Sequence, residues 1–203
     1  HINSVDTDPI DAVWVRKWKR MQDGSLIVKS RLCIRGFLDP QGALVPTRSS
    51  TASRCTQRLL LSLTVLFGFS LESWDVGNAF LKGFTFEQLE EAMKKRGMET
   101  LKRKVVLMPP ANVWRHFRAM PNCKWKIRDD EIGLWFLVLL KAMYGLNDAP
   151  LAWQMCLEEF YLKDLKGHQS SYDECFFMWF DHGRCVALAT THTDDNAVAS
   201  DEA

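Results

Sequence analysis

Apolar residues along this chain change their spacing several times, and each change marks an element. VWVRKWKRM and LIVKSRLCIRGF, within residues 13–38, alternate apolar with polar positions. A period of two sets one group of side chains on one face of a strand. Between them lies QDGS, whose Asp23-Gly24 pair favours a tight reversal because glycine adopts positive φ freely. The segment therefore predicts a hairpin. Residues 39–50 are rich in Pro, Gly and Ser and read as a loop. Helical spacing follows over 51–69, with Thr51 or Ser53 as the N-cap. LESWDVGNAF (71–80) predicts a short strand running into a turn. Residues 85–104 read as a charged helix, VVLMPP (105–110) as a strand stopped by prolines, and 111–133 as an inserted loop.

The second half is more apolar. GLWFLVLLKAMYGL (133–146) holds a continuous apolar run and predicts a buried strand. NDAPLAWQMCLEEFYLKDLKG then predicts a helix. Asn147 or Asp148 can cap it, Pro150 suits its first turn, and Gly167 follows its last. Leu151, Met155, Glu158 and Leu162 share a face, flanked by Trp153, Leu157 and Tyr161. CFFMWF (175–180), the turn DHGR and CVALATTH predict another hairpin. Asp194 and Asp195 fall at the turn after it, and NAVAS begins a further strand.

Composition narrows the class. The 203 residues are 47% apolar and 25% charged, enough for one sizeable globular domain. Net charge is +1, so the whole chain does not advertise a nucleic-acid partner. Residues 14–35, however, gather Arg16, Lys17, Lys19, Arg20, Lys29, Arg31 and Arg35 against one acid, Asp23. Such a patch suits a phosphate backbone or a solvated face. Cysteines at 33, 55, 123, 156, 175 and 185 form no CxxC, which predicts reduced, buried thiols in an intracellular protein. Cys175, His182, Cys185 and His192 match no closed zinc spacing, and strand alternation sets His192 and Cys185 on opposite faces. The longest apolar run, 59–71, has too few residues for the roughly 20 that a membrane helix needs, so no membrane is expected. The chain starts without Met and ends in SDEA, and it reads as a fragment.

The paired aspartates carry the chemistry. An Asp-Asp turn is often only a turn. Here both flanks read as buried strands, so the carboxylates are held rigidly side by side. Adjacent carboxylates raise each other's pKa unless a cation joins them. Mg²⁺ resolves the conflict with one or two carboxylates, water and substrate phosphates. A two-metal phosphoryl-transfer site takes a further carboxylate from elsewhere. Asp75, in SWDVGNAF, is the best candidate, with a helix cap as its alternative role.

These residues resemble a known family. WDVGNAFLKG (74–83), KAMYGLNDAPLAW (141–153) and THTDDNAVAS (191–200) look like the three core motifs of copia-type retrotransposon reverse transcriptases, in the same order. KWKRMQDGSLIVKSRLCIRGF (17–37) resembles that family's fingers segment, and TASRCTQRLLLSLTVLFGFSLES the helix before its first catalytic strand. The resemblance spans about residues 13–200. It implies an α+β right-hand polymerase with palm and fingers. The palm would be an antiparallel sheet backed by helices, and the thumb absent. Residues 13–57 would be fingers-like and 58–203 mainly palm, with a divergent insertion at 84–133.

The resemblance also implies site roles in an RNA-directed DNA polymerase. Asp75 and Asp194 would bind two Mg²⁺ ions (or Mn²⁺), with Asp195 adjacent and the Val76 carbonyl assisting. Asn78 and Ala79 would offer backbone N–H groups to the phosphates. Phe80 would be a steric gate against a 2′-hydroxyl. Lys29, Arg31 and Arg35 would meet the triphosphate or the template backbone. Tyr144 and Gly145 would line the template and the nascent base pair. Partners would be an RNA or DNA template with primer, deoxynucleoside triphosphates, and the thumb and RNase H regions of a parent polyprotein. The place of action would be a cytoplasmic retroelement particle or the nucleus. Two departures stand out. His192 and Thr193 replace the family's Tyr and apolar residue before Asp-Asp. Asn147-Asp148 replaces its Lys-Gln, which would set a negative charge near nucleic acid. An alternative reading is a decayed element copy that binds nucleic acid weakly.

Overall fold

The computed structural model describes residues 7–125 and 127–201, and the chain is mixed α+β. It forms two compact units that interleave along the sequence. Residues up to Pro46 join Thr85–Ala149 in the first; Thr47–Phe84 join the residues from Pro150 onward in the second. Of residues 84–133, read as an insertion, all but Phe84 therefore fold with the N-terminal hairpin.

The first unit contains a four-stranded sheet. β1 (Ile10–Arg20) pairs antiparallel with β2 (Leu26–Ile34) around the predicted Asp23-Gly24 turn. Gly24 takes φ 84°, and the Asp23 carboxylate accepts from the Ser25 amide and hydroxyl. Beyond β1 lie β4 (Val106–Met108), parallel to it, and β5 (Leu137–Val138). β4 meets β1 only at Ile10 and Asp11, so burial is confined to that end. From Arg16 to Lys29 the hairpin is exposed on both faces, Trp18 at 73%. Its alternation thus marks no buried face there.

Three expectations fail in this unit for identifiable reasons. The helix read over 85–104 is α3 (Phe86–Lys95), capped by a Thr85–Gln88 capping box and ended before Gly97 at φ 68°. The inserted loop holds a helix, α4 (Ala111–Ala119), which starts after Pro110 and buries Val113 and Trp114. The buried strand of 133–146 shrinks to the two residues of β5, because β4 offers only three residues to pair. Leu134, Trp135 and Leu140 are consequently exposed.

The second unit is a five-stranded antiparallel sheet in the order β3-β9-β8-β7-β6, with β3 at the edge. The strands are β3 (Ser70–Asp75), β6 (His168–Gln169), β7 (Phe176–Asp181), β8 (Arg184–His192) and β9 (Asp195–Ser200). α1 (Arg54–Phe67) covers one face, packing Leu60 against Phe176, Leu188 and Ala199. Burying one leucine contributes about 2 kcal/mol. Ser53, one of the two predicted caps, accepts from the Thr56 amide, and Gly68 closes the helix in the left-handed region. α5 (Ala149–Glu159) and a π-turn to Asp164 cover the other face, through Leu157, Tyr161, Phe177 and Ala189.

A bulge shifts the β7–β8 register between Trp179 and Phe180. It turns Cys185 into the Leu60–Leu188 cluster, on the same face as His192, which lines a cavity with Leu60 and Thr190. The opposite-face expectation for that pair is therefore overturned. All six cysteines are free, but only Cys175 is buried. Burial pushes its thiol up to about 11.

Candidate active site

β3 and β9 lie in a register that sets Asp75 opposite Asp195. β8 and β9 are joined by Thr193 and Asp194, with His192 paired to Asp195. The Val76 amide donates to the Asp194 carbonyl at 3.0 Å, so the strand ends are stitched one residue past the ladder. The three predicted aspartates thus lie at one end of an edge pair, Asp75 and Asp195 across the ladder and Asp194 in the turn. Ser73 and Ala197, paired two residues further in, lie on the α1 side. Strand alternation puts Asp75 and Asp195 on that side too.

The turn is tightly built. Thr193 has φ 60°, a conformation that disfavours a β-branched residue. Its carbonyl accepts from Trp153 Nε1 at 2.6 Å. The Asp194 carbonyl also accepts from Asn196 Nδ2 at 3.2 Å, while Asn196 Oδ1 accepts from the Tyr161 hydroxyl at 3.2 Å. Burial pushes the Tyr161 hydroxyl up to about 12, so it stays a donor at neutral pH.

Among the described residues no Lys, Arg or His forms an ion pair with Asp75, Asp194 or Asp195. Asp75 and Asp195 are exposed and Asp194 half-buried. Carboxylates without a cation partner are hard-oxygen donors, the type that Mg²⁺ takes. Among the described residues no group of three or more His, Cys, Asp or Glu is drawn tightly enough to hold a metal by itself. A cavity of about 240 Å³ opens beside Asp195, between Gln57, Ser73 and His192.

The residues after Asp75 turn sharply. Asn78 takes φ 57° and caps the short helix α2 (Ala79–Lys82), where Ala79 is buried and Phe80 half-buried. Gly83 then lies against α5: a Cβ there would come within 2.9 Å of the Trp153 nitrogen.

The other predicted residues belong to the first unit. Arg31 stacks over the Tyr144 ring, its guanidinium carbon 5.4 Å from the ring centre. The Tyr144 carbonyl accepts from the Ile34 amide at 2.8 Å. A Cβ on Gly36 would collide with the Gly145 carbonyl, and one on Gly145 (φ 99°) with the Ile34 carbonyl. Arg31, Tyr144 and Gly145 are thus brought together. Arg35 is paired with Asp11 at 3.0 Å. Lys29 stands apart and exposed, directly across the ladder from Lys17.

The expected surface charge at Asp148 is corrected. Asp148 is 1% exposed, and Arg103 Nε donates to it at 2.7 Å. Arg103 Nη2 meets Asp39 at the same distance. Burial opposes the guanidinium charge, but the two carboxylates more than offset it and hold the Arg103 pKa up. Asn147 donates to the Gly42 carbonyl at 3.2 Å. Both residues of the Asn147-Asp148 departure thus find partners within the first unit. Arg103 and Trp153 were missed by sequence reasoning. Arg103 falls in the segment read as a charged helix, and Trp153 is read only as a flank of an apolar helix face.

No protein-family model and no solved structure matches the chain. It is 26% identical over 197 residues to the retrovirus-related Pol polyprotein from transposon TNT 1-94 of Nicotiana tabacum, across 96% of this chain and 12% of that protein. It is 26% and 25% identical over 191 residues to those from transposons RE2 and RE1 of Arabidopsis thaliana, across 93% of this chain and 11% of each. The chain thus spans only about an eighth or less of these relatives' lengths. Distant similarity to plant retrotransposon Pol polyproteins along nearly the whole chain supports a retroelement-derived origin.

Proposed function

We propose that this chain is the RNA-directed DNA polymerase core of a copia-like retroelement. The observation that carries the reading is the pairing of Asp75 with Asp195, stitched by the Val76 amide to the Asp194 carbonyl. Two Mg²⁺ ions, when bound, would supply activation of a primer 3′-hydroxyl and charge neutralisation at the leaving pyrophosphate. Asp75 and Asp194 would hold them, with the Val76 carbonyl as a further oxygen and Asp195 adjacent. Mg²⁺ keeps water and substrate phosphates in its shell, so the protein need not present a closed three-ligand cluster beforehand. Asn78 and Ala79 would direct backbone N–H groups at the triphosphate, and Phe80 would crowd a 2′-hydroxyl.

The hairpin of β1 and β2 supports a nucleic-acid partner. Lys17 and Lys29 oppose each other on its exposed surface, an arrangement that destabilises a bare sheet and is relieved by an anion. Its basic residues flank the exposed ring of Trp18, which suits phosphates together with stacked bases. Arg31 over Tyr144 would fix one cation toward the template backbone.

His192 and Thr193, in place of the family's residues, favour a second reading: a decayed copy that binds nucleic acid without synthesis. The deciding assay is Mg²⁺-dependent addition of a single deoxynucleotide to a DNA primer on an RNA template. Asp75→Asn and Asp194→Asn should each reduce incorporation at least a hundredfold. Activity retained within a few fold would overturn the site assignment. Template binding without metal-dependent nucleotide binding would favour the decayed copy.

A further inference from the structure

We propose that Trp153 is a positioning residue for the paired aspartates, its indole N–H holding the Thr193-Asp194 turn in the conformation that presents them. The proposal rests on the metal-site reading above and deepens it.

Trp153 is 6% exposed, and its indole has a single donor that needs an acceptor once buried. That acceptor is the Thr193 carbonyl at 2.6 Å, forty positions away in sequence. Thr193 stands at φ 60°, where a β-branched side chain is strained. Such strain persists only where surrounding contacts over-determine it. The contacts are visible: Trp153 fixes the carbonyl of Thr193, and Val76 and Asn196 fix that of Asp194.

Trp153 is itself held in place. The Phe84 amide donates to the Ala152 carbonyl at 3.2 Å, and Gly83 lies against the backbone of Ala152 and Trp153 without room for a Cβ. WDVGNAFLKG therefore touches the helix that carries Trp153, and Trp153 touches the turn that carries Asp194. The segment that supplies Asp75 and the one that supplies Asp194 are tied through one indole as well as through the β3–β9 ladder. Without the N–H, Thr193 can relax toward negative φ and swing Asp194 away from Asp75.

The test is Mn²⁺ binding to the intact chain, followed by water-proton relaxation, with Asp194→Asn marking the site. Trp153→Phe keeps a ring and loses the donor. It should weaken the Asp194-sensitive binding by about tenfold, the scale seen when an outer hydrogen bond to a metal ligand is lost. Adding Thr193→Gly, which removes the strain, should recover most of that loss; a packing defect would not be rescued this way. If Trp153→Phe fails to fold, benzothienylalanine at 153 removes only the N–H and takes its place. Undiminished binding, or a loss that Thr193→Gly leaves untouched, overturns the proposal. If the unaltered chain shows no Asp194-sensitive binding, the metal reading fails by itself. Amide exchange at Asp194–Asn196 then decides the positioning role: faster exchange without the indole donor sustains it, and unchanged exchange overturns it.

Discussion

Arg103 carries its charge among groups that water barely reaches: its side chain is 4% exposed, and those of Asp39 and Asp148 are 2%. Replacing it with Met would leave two buried carboxylates without a cation. Arg103→Met should destabilise the chain by about 3–5 kcal/mol in urea titration. Replacing Arg103, Asp39 and Asp148 together by apolar residues should cost far less, since no orphan charge remains. Phe80→Ala, at the proposed gate, should raise ribonucleotide incorporation relative to deoxynucleotide at least tenfold; unchanged sugar selectivity would remove Phe80 from that role. Asp75, Asp194 and Asp195 were singled out in sequence because a charge between apolar strands is costly, but β3 is exposed from Leu71 to Asp75 and Asp195 is exposed too, so that cost does not arise there. Arg103 and Trp153 were not singled out, because what defines each is a partner 45 or 40 positions away. No local pattern encodes such a partner.

α1 shows how an element can be set from a distance. Its cap, Ser53, is itself held by Asp173, whose carboxylate accepts from the Ser53 amide at 2.9 Å and from the Thr56 hydroxyl. Partial burial raises the Asp173 pKa, but these bonds and one from the Cys175 amide outweigh it and leave the carboxyl below its usual value. A depressed folded pKa gives stability that is present above the ordinary value near 3.8 and lost as pH falls through the lower folded one. Asp173→Asn should lower stability by about 1 kcal/mol at neutral pH, the scale of a lost cap. It should also flatten the loss of stability below about pH 4 in a series of acid melts; an unchanged acid limb would refute the linkage. The helix and its Ser53 cap were readable from spacing and residue type; the remote carboxylate was not. α4 was missed because its apolar residues are few and prolines precede it, while β5 was overestimated because apolar runs predict burial without saying how long a partner strand is.

At the scale of the molecule, the β1–β2 and β7–β8 hairpins came from local patterns, whereas the strand order and the division into units did not. Pairing β1 with β4 draws residues 85–149 to the N-terminal hairpin, and pairing β3 with β9 does the same for the C-terminal strands and α1. The chain therefore crosses between units after Pro46, Phe84 and Ala149. Interleaving has a consequence in time. A ribosome adds Asp195 only 120 residues after Asp75 (195 − 75), a delay of roughly 6–24 s at ordinary rates of synthesis. Throughout that interval β3 lacks β9, the strand it pairs with in the finished sheet. The Asp75–Asp195 pair comes into being only when β9 arrives, so a nascent chain released anywhere before residue 195 carries a well-started fold and no cross-strand acidic pair at all.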